Sequence, residues 1–264
     1  MKKRITFIGT LILIFSVFLS NIYIFAAPKV KENNSTKNDT SINIISTIKY
    51  DLNGDGNLEN ISISNEKNNY FIIFNKLKYK FSTSKIEVRN VSVIDIKTND
   101  LNKEILIETI KDDKSEFIIL EYNGKQFYEI ARLNKMPVIL GNGTVIIEED
   151  MGFWIKKDKY VLTDKTGKIK LKQLPQELYY VGAKARVKKG FELFSNREDS
   201  KELATITLSE GEIIDIVMCD TSNWFKKSNQ KNNKIYDWYL IKTSSNLTGW
   251  ARLKDFEQNI EFIK

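Results

Sequence analysis

Residues 51–63, DLNGDGNLENISI, place acidic and amide side chains at every second position around two glycines and then continue into alternating apolar residues. Side chains two positions apart can direct their oxygen atoms at one centre, and glycine lets the backbone bend there without a Cβ clash. Ile61 and Ile63 alternate with Asn60 and Ser62, a pattern typical of a half-buried strand and not of a helix. This stretch therefore predicts a polar loop that leads directly into a β-strand.

The loop has the ligand chemistry of a calcium site. Acidic and amide oxygens, one backbone carbonyl and a closing glutamate give the all-oxygen shell that Ca²⁺ prefers. An EF-hand is excluded, because its twelfth loop position needs a bidentate glutamate and Ser62 stands there. The alternative is a turn rich in aspartate and asparagine that caps the strand without an ion. The five candidate ligands are Asp51, Asn53, Asp55, Asn57 through its carbonyl, and Glu59.

At these residues the chain resembles the FG-GAP or VCBS-type repeats of β-propeller blades, whose calcium loops read D-x-[DN]-x-D-G-x-x-[DE]. The pattern returns after about 45 residues, a period typical of four-stranded repeat units, when Glu59 is set over Glu104 and Phe71 over Phe117. Strand pairs within the units are indicated by turn signals, among them the two-residue signal Asn123-Gly124. The alternative is that ordinary strands fall into this register by chance.

The second copy of the loop is incomplete in this register. Ile96 and Thr98 stand at the first two ligand positions, and the later positions are kept by Asp100, Asn102 and Glu104. We therefore expect the second loop to keep the fold and to have lost or weakened the ion.

A third unit, more degenerate, opens with Gly141-Asn142-Gly143. Since closed propellers have four to eight blades, three units predict a compact or open β-assembly over residues 46–175. The fold class that follows is all-β, with propeller-blade-like antiparallel units in the N-terminal repeat domain.

The C-terminal residues 182–264 show short alternating strands separated by turn signals, a pattern for a small barrel. They resemble the bacterial SH3-type (SH3b) domain at residues 208–217, 238–241 and 249–251, the last being its closing Gly-Trp-Ala. The resemblance implies a binding module that targets peptidoglycan or a wall peptide. The family's usual opening sequence is replaced here by residues 191–197, FELFSNR.

An aromatic platform for such a ligand is offered by Trp224, Trp238, Tyr239 and Trp250. Trp238 and Trp250 lie on predicted strands, where core packing is the competing interpretation and the favoured one. Trp224 lies in a polar loop rich in lysine and is the better candidate for a surface contact.

The N-terminal residues 1–27 combine Lys2, Lys3 and Arg4 with a long apolar run, which predicts an export signal. The run over residues 5–27 is also long enough to cross a bilayer as a helix, so an uncleaved membrane anchor is the alternative. Residues 28–45 are rich in Asn, Ser, Thr and Lys and predict a flexible linker. We expect an exported protein that is extracellular, bound to the cell wall or anchored in the cytoplasmic membrane.

The amino-acid composition excludes most classes of catalytic site. The chain has no histidine, which excludes Ser/His/Asp hydrolases and zinc peptidases. Its single cysteine, Cys219, ends an apolar strand and has no histidine to lower its pKa, which excludes a papain-like hydrolase. A carboxylate pair such as Glu148 and Asp150 remains, although a solvated strand end is the favoured interpretation.

The net charge of +7 comes from scattered lysines without a nucleic-acid motif, so we expect no nucleic-acid partner. For an exported chain the matching surface is an anionic wall polymer or lipid, and the equal alternative is that lysine is simply abundant in the proteins of the source organism. The sequence thus predicts a non-catalytic binding or scaffold protein, with a membrane-anchored extracytoplasmic sensor or interaction protein as the alternative.

Overall fold

A computed structural model of the chain describes residues 43–74, 77–82, 85–165, 168–197, 204, 206–222 and 237–263. The predicted leader, the linker up to residue 42 and Trp224 lie outside these residues. The described part is built from antiparallel strands with a single four-residue helix, which confirms the all-β class. No helix in this part is both long enough and apolar enough to span a membrane.

Three four-stranded antiparallel sheets follow one another along the chain, and in each of them neighbouring strands in the sequence are also neighbours in the sheet. The first sheet contains β1 Asn43–Tyr50, β2 Glu59–Glu66, β3 Asn69–Phe74 and β4 Leu77–Ser82. The second contains β5 Glu87–Ile94, β6 Glu104–Lys111, β7 Lys114–Tyr122 and β8 Phe127–Leu133. The third contains β9 Pro137–Ile139, β10 Thr144–Asp150, β11 Ile155–Lys165 and β12 Lys168–Gln173.

Two-residue turns join β2 to β3 and β6 to β7, at Lys67-Asn68 and at Asp112-Asp113. All four residues have positive φ, between 49° and 65°, the backbone that matches the twist of a tight hairpin. The predicted two-residue turn at Asn123-Gly124 is longer than expected. The connection from β7 to β8 spans residues 123–126, and the Asn123 side chain accepts the N–H groups of Lys125 and Gln126.

Consecutive sheets pack face to face. One core contains side chains of the first and second sheets, among them Ile61, Ile72 and Ile105, and the next core contains side chains of the second and third sheets. β6 contributes Ile105 and Ile107 to the first core and Leu106 to the second. Because β6 is buried on both faces, its sequence EILIE shows a continuous apolar run where an exposed strand would alternate.

The C-terminal part forms a five-stranded antiparallel sheet in the order β18-β17-β16-β13-β19, accompanied by the two-stranded sheet β14-β15. The five-stranded sheet does not close on itself within the described residues, so the expected small barrel is present only as an open arrangement. Its elements are β13 Leu178–Val187, β14 Phe191–Leu193, β15 Ile206–Leu208, β16 Ile213–Asp220, β17 Trp238–Thr243, β18 Thr248–Arg252, α1 Leu253–Phe256, a 3₁₀ turn Glu257–Asn259 and β19 Ile260–Ile263.

This C-terminal sheet shares a core with the third repeat unit. Met151 and Trp154, which follow β10, are buried together with Tyr179, Tyr239 and the other core residues of the C-terminal part. Trp154 donates its indole N–H to the Tyr239 hydroxyl over 3.3 Å. The two parts that the sequence divides at about residue 180 are therefore joined by buried contacts.

Candidate functional site

The loop between β1 and β2 is organised around the carboxylate of Asp51. Its Oδ1 accepts the backbone N–H groups of Gly54 at 2.7 Å and of Asp55 at 3.1 Å, and its Oδ2 accepts that of Gly56 at 2.8 Å. Gly54 and Gly56 have φ values of +72° and +85°, which only glycine adopts without strain. The spacing of aspartate and glycine in the sequence thus folds the backbone back around one carboxylate.

Asn53, Asp55 and Asn57 continue this bonding along the loop. Asp55 Oδ1 accepts the N–H of Asn57 at 2.8 Å, and Asp55 Oδ2 accepts the Asn53 side-chain amide at 3.2 Å. These two bonds favour the ionised carboxylate and hold the pKa of Asp55 below its ordinary value. Asn53 and Asn57 therefore lie within the loop, bonded to a candidate ligand.

Glu59 closes the loop from the start of β2. Its Oε2 accepts the N–H of Leu52 at 2.9 Å, and both residues are buried. Asp51, Asp55 and Glu59 each bring one carboxylate oxygen to within 4.8 Å of the others. None of the three forms an ion pair with a lysine or arginine in the part of the chain that the structure describes. The loop therefore gathers three carboxylate oxygens that no lysine or arginine of the described residues neutralises.

The loop between β5 and β6 is a second copy of the same fold. Glu104 Oε2 accepts the N–H of Ile96 at 3.0 Å, as Glu59 accepts that of Leu52. Asp100 Oδ1 accepts the N–H of Asn102 at 3.0 Å, as Asp55 accepts that of Asn57. The two loops therefore share the same hydrogen-bond pattern, and their closing glutamates are structurally equivalent.

The register predicted for the start of this second loop is wrong. Because Ile96 corresponds to Leu52, the residue at the first ligand position is Asp95, and Lys97 stands where Asn53 does. Ile96 and Thr98 do not occupy those positions. The second loop has one more residue between Ile96 and Asp100 than the first has between Leu52 and Asp55, so only the positions at the start of the loop are shifted.

Two lysines occupy the second loop in a way that the first loop does not match. Lys103, which stands where Leu58 does, forms an ion pair with Asp95, and Lys97 Nζ lies 3.6 Å from Asp100 Oδ2. Burial alone lowers the pKa of Lys103, but the hydrogen bond and the charge of Asp95 outweigh it, so the pKa is raised. The two aspartates of the second loop are thus paired with ammonium groups, whereas Asp51 and Asp55 of the first loop are not.

The loops are also bonded to one another. Lys103 donates its N–H to the carbonyl of Leu52 at 3.0 Å, and Gly143 donates its N–H to the carbonyl of Ile96 at 2.7 Å. The third loop, residues 140–143, is short, and Thr144 stands where the closing glutamates stand in the first two units. This crosswise bonding was not predicted, since backbone groups carry no sequence signal.

The four predicted ligand-binding aromatic residues are placed differently from one another. Trp238 is 4% exposed and belongs to the core, as the competing interpretation held for it, and Tyr239 is fully buried as well. Burial also raises the pKa of the Tyr239 hydroxyl and of the neighbouring Cys219 thiol. Trp224 lies outside the described residues. Trp250 is the partly exposed one among those described.

Trp250 borders an open cleft of about 460 Å³ on the C-terminal part. The Arg197 guanidinium lies 5.0 Å from the Trp250 ring centroid, and its Nη1 is 2.6 Å from Asp220 Oδ2 and 2.7 Å from Glu177 Oε1. Arg197 belongs to the segment that departs from the SH3b opening sequence. The cleft is lined by Glu177, Ser195, Asn196, Arg197, Asp220, Ser222 and Trp250.

The carboxylates considered for catalysis lie at a strand end. Glu148 is exposed and forms a 3.0 Å ion pair with Lys157 across the sheet. Asp150 Oδ1 accepts the N–H of Gly152 at 2.7 Å and so caps the turn after β10. Both side chains lie in solvent, as the favoured interpretation of the sequence held.

No protein-family model matches the chain, and a search of curated proteins finds no match either. The function of the chain is therefore inferred from its own residues. The carboxylate loop at Asp51 and the cleft at Trp250 are the two candidate sites that contain residues singled out in the sequence.

Proposed function

We propose that this chain is an exported, non-catalytic binding protein, in which a calcium-stabilised β-repeat scaffold carries a C-terminal module that contacts peptidoglycan or a wall peptide. The observation that carries the calcium part is the contrast between the two equivalent loops. The second loop neutralises its aspartates with Lys97 and Lys103. The first gathers three carboxylates and has Asn53 and Leu58 at the positions of those lysines.

Three carboxylates at this separation repel one another, and a divalent cation between them converts the repulsion into attraction. The donors are all oxygen, which favours calcium or magnesium over softer metals. Calcium tolerates irregular coordination and mixed carboxylate, amide and carbonyl ligands, whereas magnesium demands a nearly octahedral shell. Asp51, Asp55 and Glu59 would supply the charge, with Asn53 and the carbonyl of Asn57 as further ligands, so calcium is the better fit.

Thermal unfolding in millimolar calcium and in chelator tests this. A cation that binds only the folded chain raises the melting temperature, with a gain of about 2.7 kcal/mol when its concentration is about a hundred times its Kd. Asp51→Ala and Asp55→Ala should each abolish the rise. An identical melt of the wild-type chain in both buffers contradicts the site.

A matched graft separates ion binding from loop folding. The double variant Asn53→Lys with Leu58→Lys copies the lysines of the second loop, so it should fold in chelator and show no response to calcium. Asp95→Ala, the equivalent substitution in the second loop, should keep the response. A graft that still gains stability from calcium places the ion elsewhere.

The cleft at Trp250 supports the wall-binding part. It combines a partly exposed indole with Arg197, Asp220 and Glu177, and such mixtures of aromatic and charged groups suit a peptide or a glycan. The apolar leader and the net charge of +7 favour an exported chain that meets an anionic surface.

Co-sedimentation with purified cell walls tests this part. The experiment uses the whole chain apart from its leader. The repeat domain is kept because Met151 and Trp154 contribute to the C-terminal core. We expect Trp250→Ala to weaken binding. Tyr180→Ala, which removes a 74% exposed aromatic residue of the same sheet that does not line the cleft, should bind as the wild type does. No sedimentation of the wild-type chain contradicts wall binding.

A membrane-anchored extracytoplasmic sensor or interaction protein is the second candidate, favoured by the length of the apolar run at residues 5–27. Sequencing the mature N-terminus from cell fractions decides between them. Met1 retained in the membrane fraction favours the anchor, and a new N-terminus near residue 28 favours the exported form.

A further inference from the structure

Two glutamates lie directly opposite each other in the second sheet. Glu104 on β6 pairs with Glu121 on β7, and Glu121 pairs in turn with Tyr128 on β8. Residues in register on adjacent strands project from the same face, with Cβ atoms about 5 Å apart. Both glutamates are only 3% exposed. Two carboxyl groups are therefore buried side by side, on strands that the apolar cores enclose.

Neither glutamate has a counter-ion among the described residues. Glu104 accepts the N–H of Ile96, and Glu121 is hydrogen-bonded to the side chain of Tyr128. Glu121 Oε2 is buried and has no hydrogen-bond partner within the described chain. A buried, ionised oxygen without a donor is among the costliest groups that a protein can contain.

The surroundings of the pair add negative charge. Asp95 and Asp100 of the adjoining loop act on Glu104, and Asp100 together with Asp164 of β11 acts on Glu121. The ammonium groups of Lys103 and Lys97 in that loop are bonded to Asp95 and Asp100. Tyr128 contributes a neutral hydroxyl. Neither Glu104 nor Glu121 forms an ion pair within the described residues, and two ionised carboxylates there repel each other.

We propose that Glu104 and Glu121 form a proton-binding site that holds one proton at neutral pH, and that this proton stabilises the joint between the second and third repeat units. A proton on Glu121 Oε2 removes charge from the carboxylate oxygen that lacks a donor. Glu104 holds the N–H of Ile96, whose carbonyl accepts the N–H of Gly143 in the third unit. The protonation state of the pair therefore acts on the backbone that links the two units.

The direction of the pKa shifts agrees with this arrangement. Burial, followed by the charges of Glu121, Asp100 and Asp95, raises the pKa of Glu104 from 4.5 to about 7, against the opposing effect of the Ile96 N–H. Burial also raises the pKa of Glu121. Because the folded chain binds this proton more tightly than the unfolded chain, its stability is greatest below the unfolded pKa of 4.5 and falls as the pH rises through about 7.

Carbon-13 NMR of glutamate side-chain carboxyls in the wild-type chain is the first test, carried out in chelator so that calcium plays no part. We expect the resonances of Glu104 and Glu121 to titrate as a coupled pair, with the upper midpoint at least about one pH unit above that of an ordinary glutamate. Two ordinary, independent midpoints would overturn the proposal. This measurement needs no variant and so does not depend on a mutant that folds.

Thermal and urea unfolding from about pH 5 to about pH 8 is the second test. In the wild-type chain the pair should raise the unfolding equilibrium constant by the order of a hundredfold across this range. Glu121→Gln removes one of the two charges and should reduce that rise, leaving the part that the burial of Glu104 causes. Glu104→Gln should also reduce it, and its amide oxygen can still accept the Ile96 N–H.

The matched control is Glu148→Gln, since Glu148 also lies on a strand but faces Lys157 and not a second glutamate. It should leave the pH dependence of the wild type unchanged. If Glu121→Gln and Glu104→Gln have the same pH dependence as Glu148→Gln, the pair holds no proton and the proposal fails.

Discussion

Replacing Lys156 by methionine should destabilise the fold by about 3 kcal/mol. Lys156 on β11 is 2% exposed, and its Nζ lies 2.9 Å from Asp158 Oδ2 and 3.6 Å from Glu149 Oε2. The Tyr179 ring centroid lies 5.1 Å from the same Nζ, and the Tyr179 hydroxyl donates to Asp158 Oδ1 at 2.7 Å. The lysine thus ties the third repeat unit to the start of the C-terminal sheet.

The size of the expected destabilisation follows from the buried carboxylate that loses its counter-ion when Lys156 is replaced. Methionine keeps the length and the apolar stem of lysine, so little packing is lost and the change isolates the charge. Removing one partner of a buried ion pair costs about 3–5 kcal/mol, because the other charge remains buried without compensation. Asp158 keeps the Tyr179 hydroxyl, and its side chain is 13% exposed, which places the expected loss at the lower end of that range.

The neighbouring lysine is the control. Lys157 has a side chain that is 62% exposed and is paired with Glu148 at 3.0 Å, so Lys157→Met should cost less than about 1 kcal/mol. The free energy of unfolding is measured by equilibrium urea denaturation, with an unchanged m-value as the check that the same surface unfolds. Adding Asp158→Asn to Lys156→Met should recover part of the loss, because the uncompensated charge is then gone. Equal effects of Lys156→Met and Lys157→Met would refute the reasoning.

Two further substitutions follow from the loops. Gly54→Ala should cost about 2 kcal/mol in a thermal melt, because φ is +72° and the new Cβ would meet Leu101 Cβ at 2.9 Å, whereas Gly56→Ala has open space and should cost about 1 kcal/mol. Equal costs would contradict the contact with Leu101. Lys103→Gln should reduce the loss of stability in strongly alkaline buffer, since the raised pKa of Lys103 contributes stability below 10.5 that disappears as the pH rises through the folded value. An unchanged alkaline profile in urea titrations would show that its pairing with Asp95 contributes nothing.

The sequence predicted the carboxylate loop and its continuation into β2 because both depend on local chemistry. Alternating oxygens and glycines determine the path of residues 51–58, and alternating apolar residues determine the strand that follows. The repeat was recognised for the same reason, since Glu104 accepts the N–H of Ile96 as Glu59 accepts that of Leu52. What binds in the first loop stays a prediction.

The ion pairs of the second loop and the buried glutamate pair could not be predicted, because they depend on register. One additional residue in the second loop moves Lys97 and Asp95 into positions that a fixed period of about 45 residues does not assign. In the sequence, Glu121 is an ordinary polar residue at the end of an apolar strand. Only the pairing of β6 with β7 and the packing of a third sheet on this face make it a buried partner of Glu104.

The aromatic residues of the C-terminal part illustrate a different limit. Trp238 and Tyr239 are adjacent on β17 and would face opposite sides of an isolated strand, yet both are buried. Trp238 is covered by Phe194 and by the guanidinium of Arg252, residues distant in the sequence. Exposure at such positions depends on contacts between elements, which strand periodicity does not contain.

The crosswise bonds between the loops make each repeat unit incomplete by itself. Leu52 and Ile96 each give their N–H to a glutamate of their own unit and receive, at their carbonyl, an N–H from the next. A unit that detaches leaves an acceptor without a donor in the preceding unit and a donor without an acceptor in itself. Truncation between units therefore leaves unpaired backbone groups in both resulting pieces. The repeats are expected to unfold as one cooperative element and not as independent units.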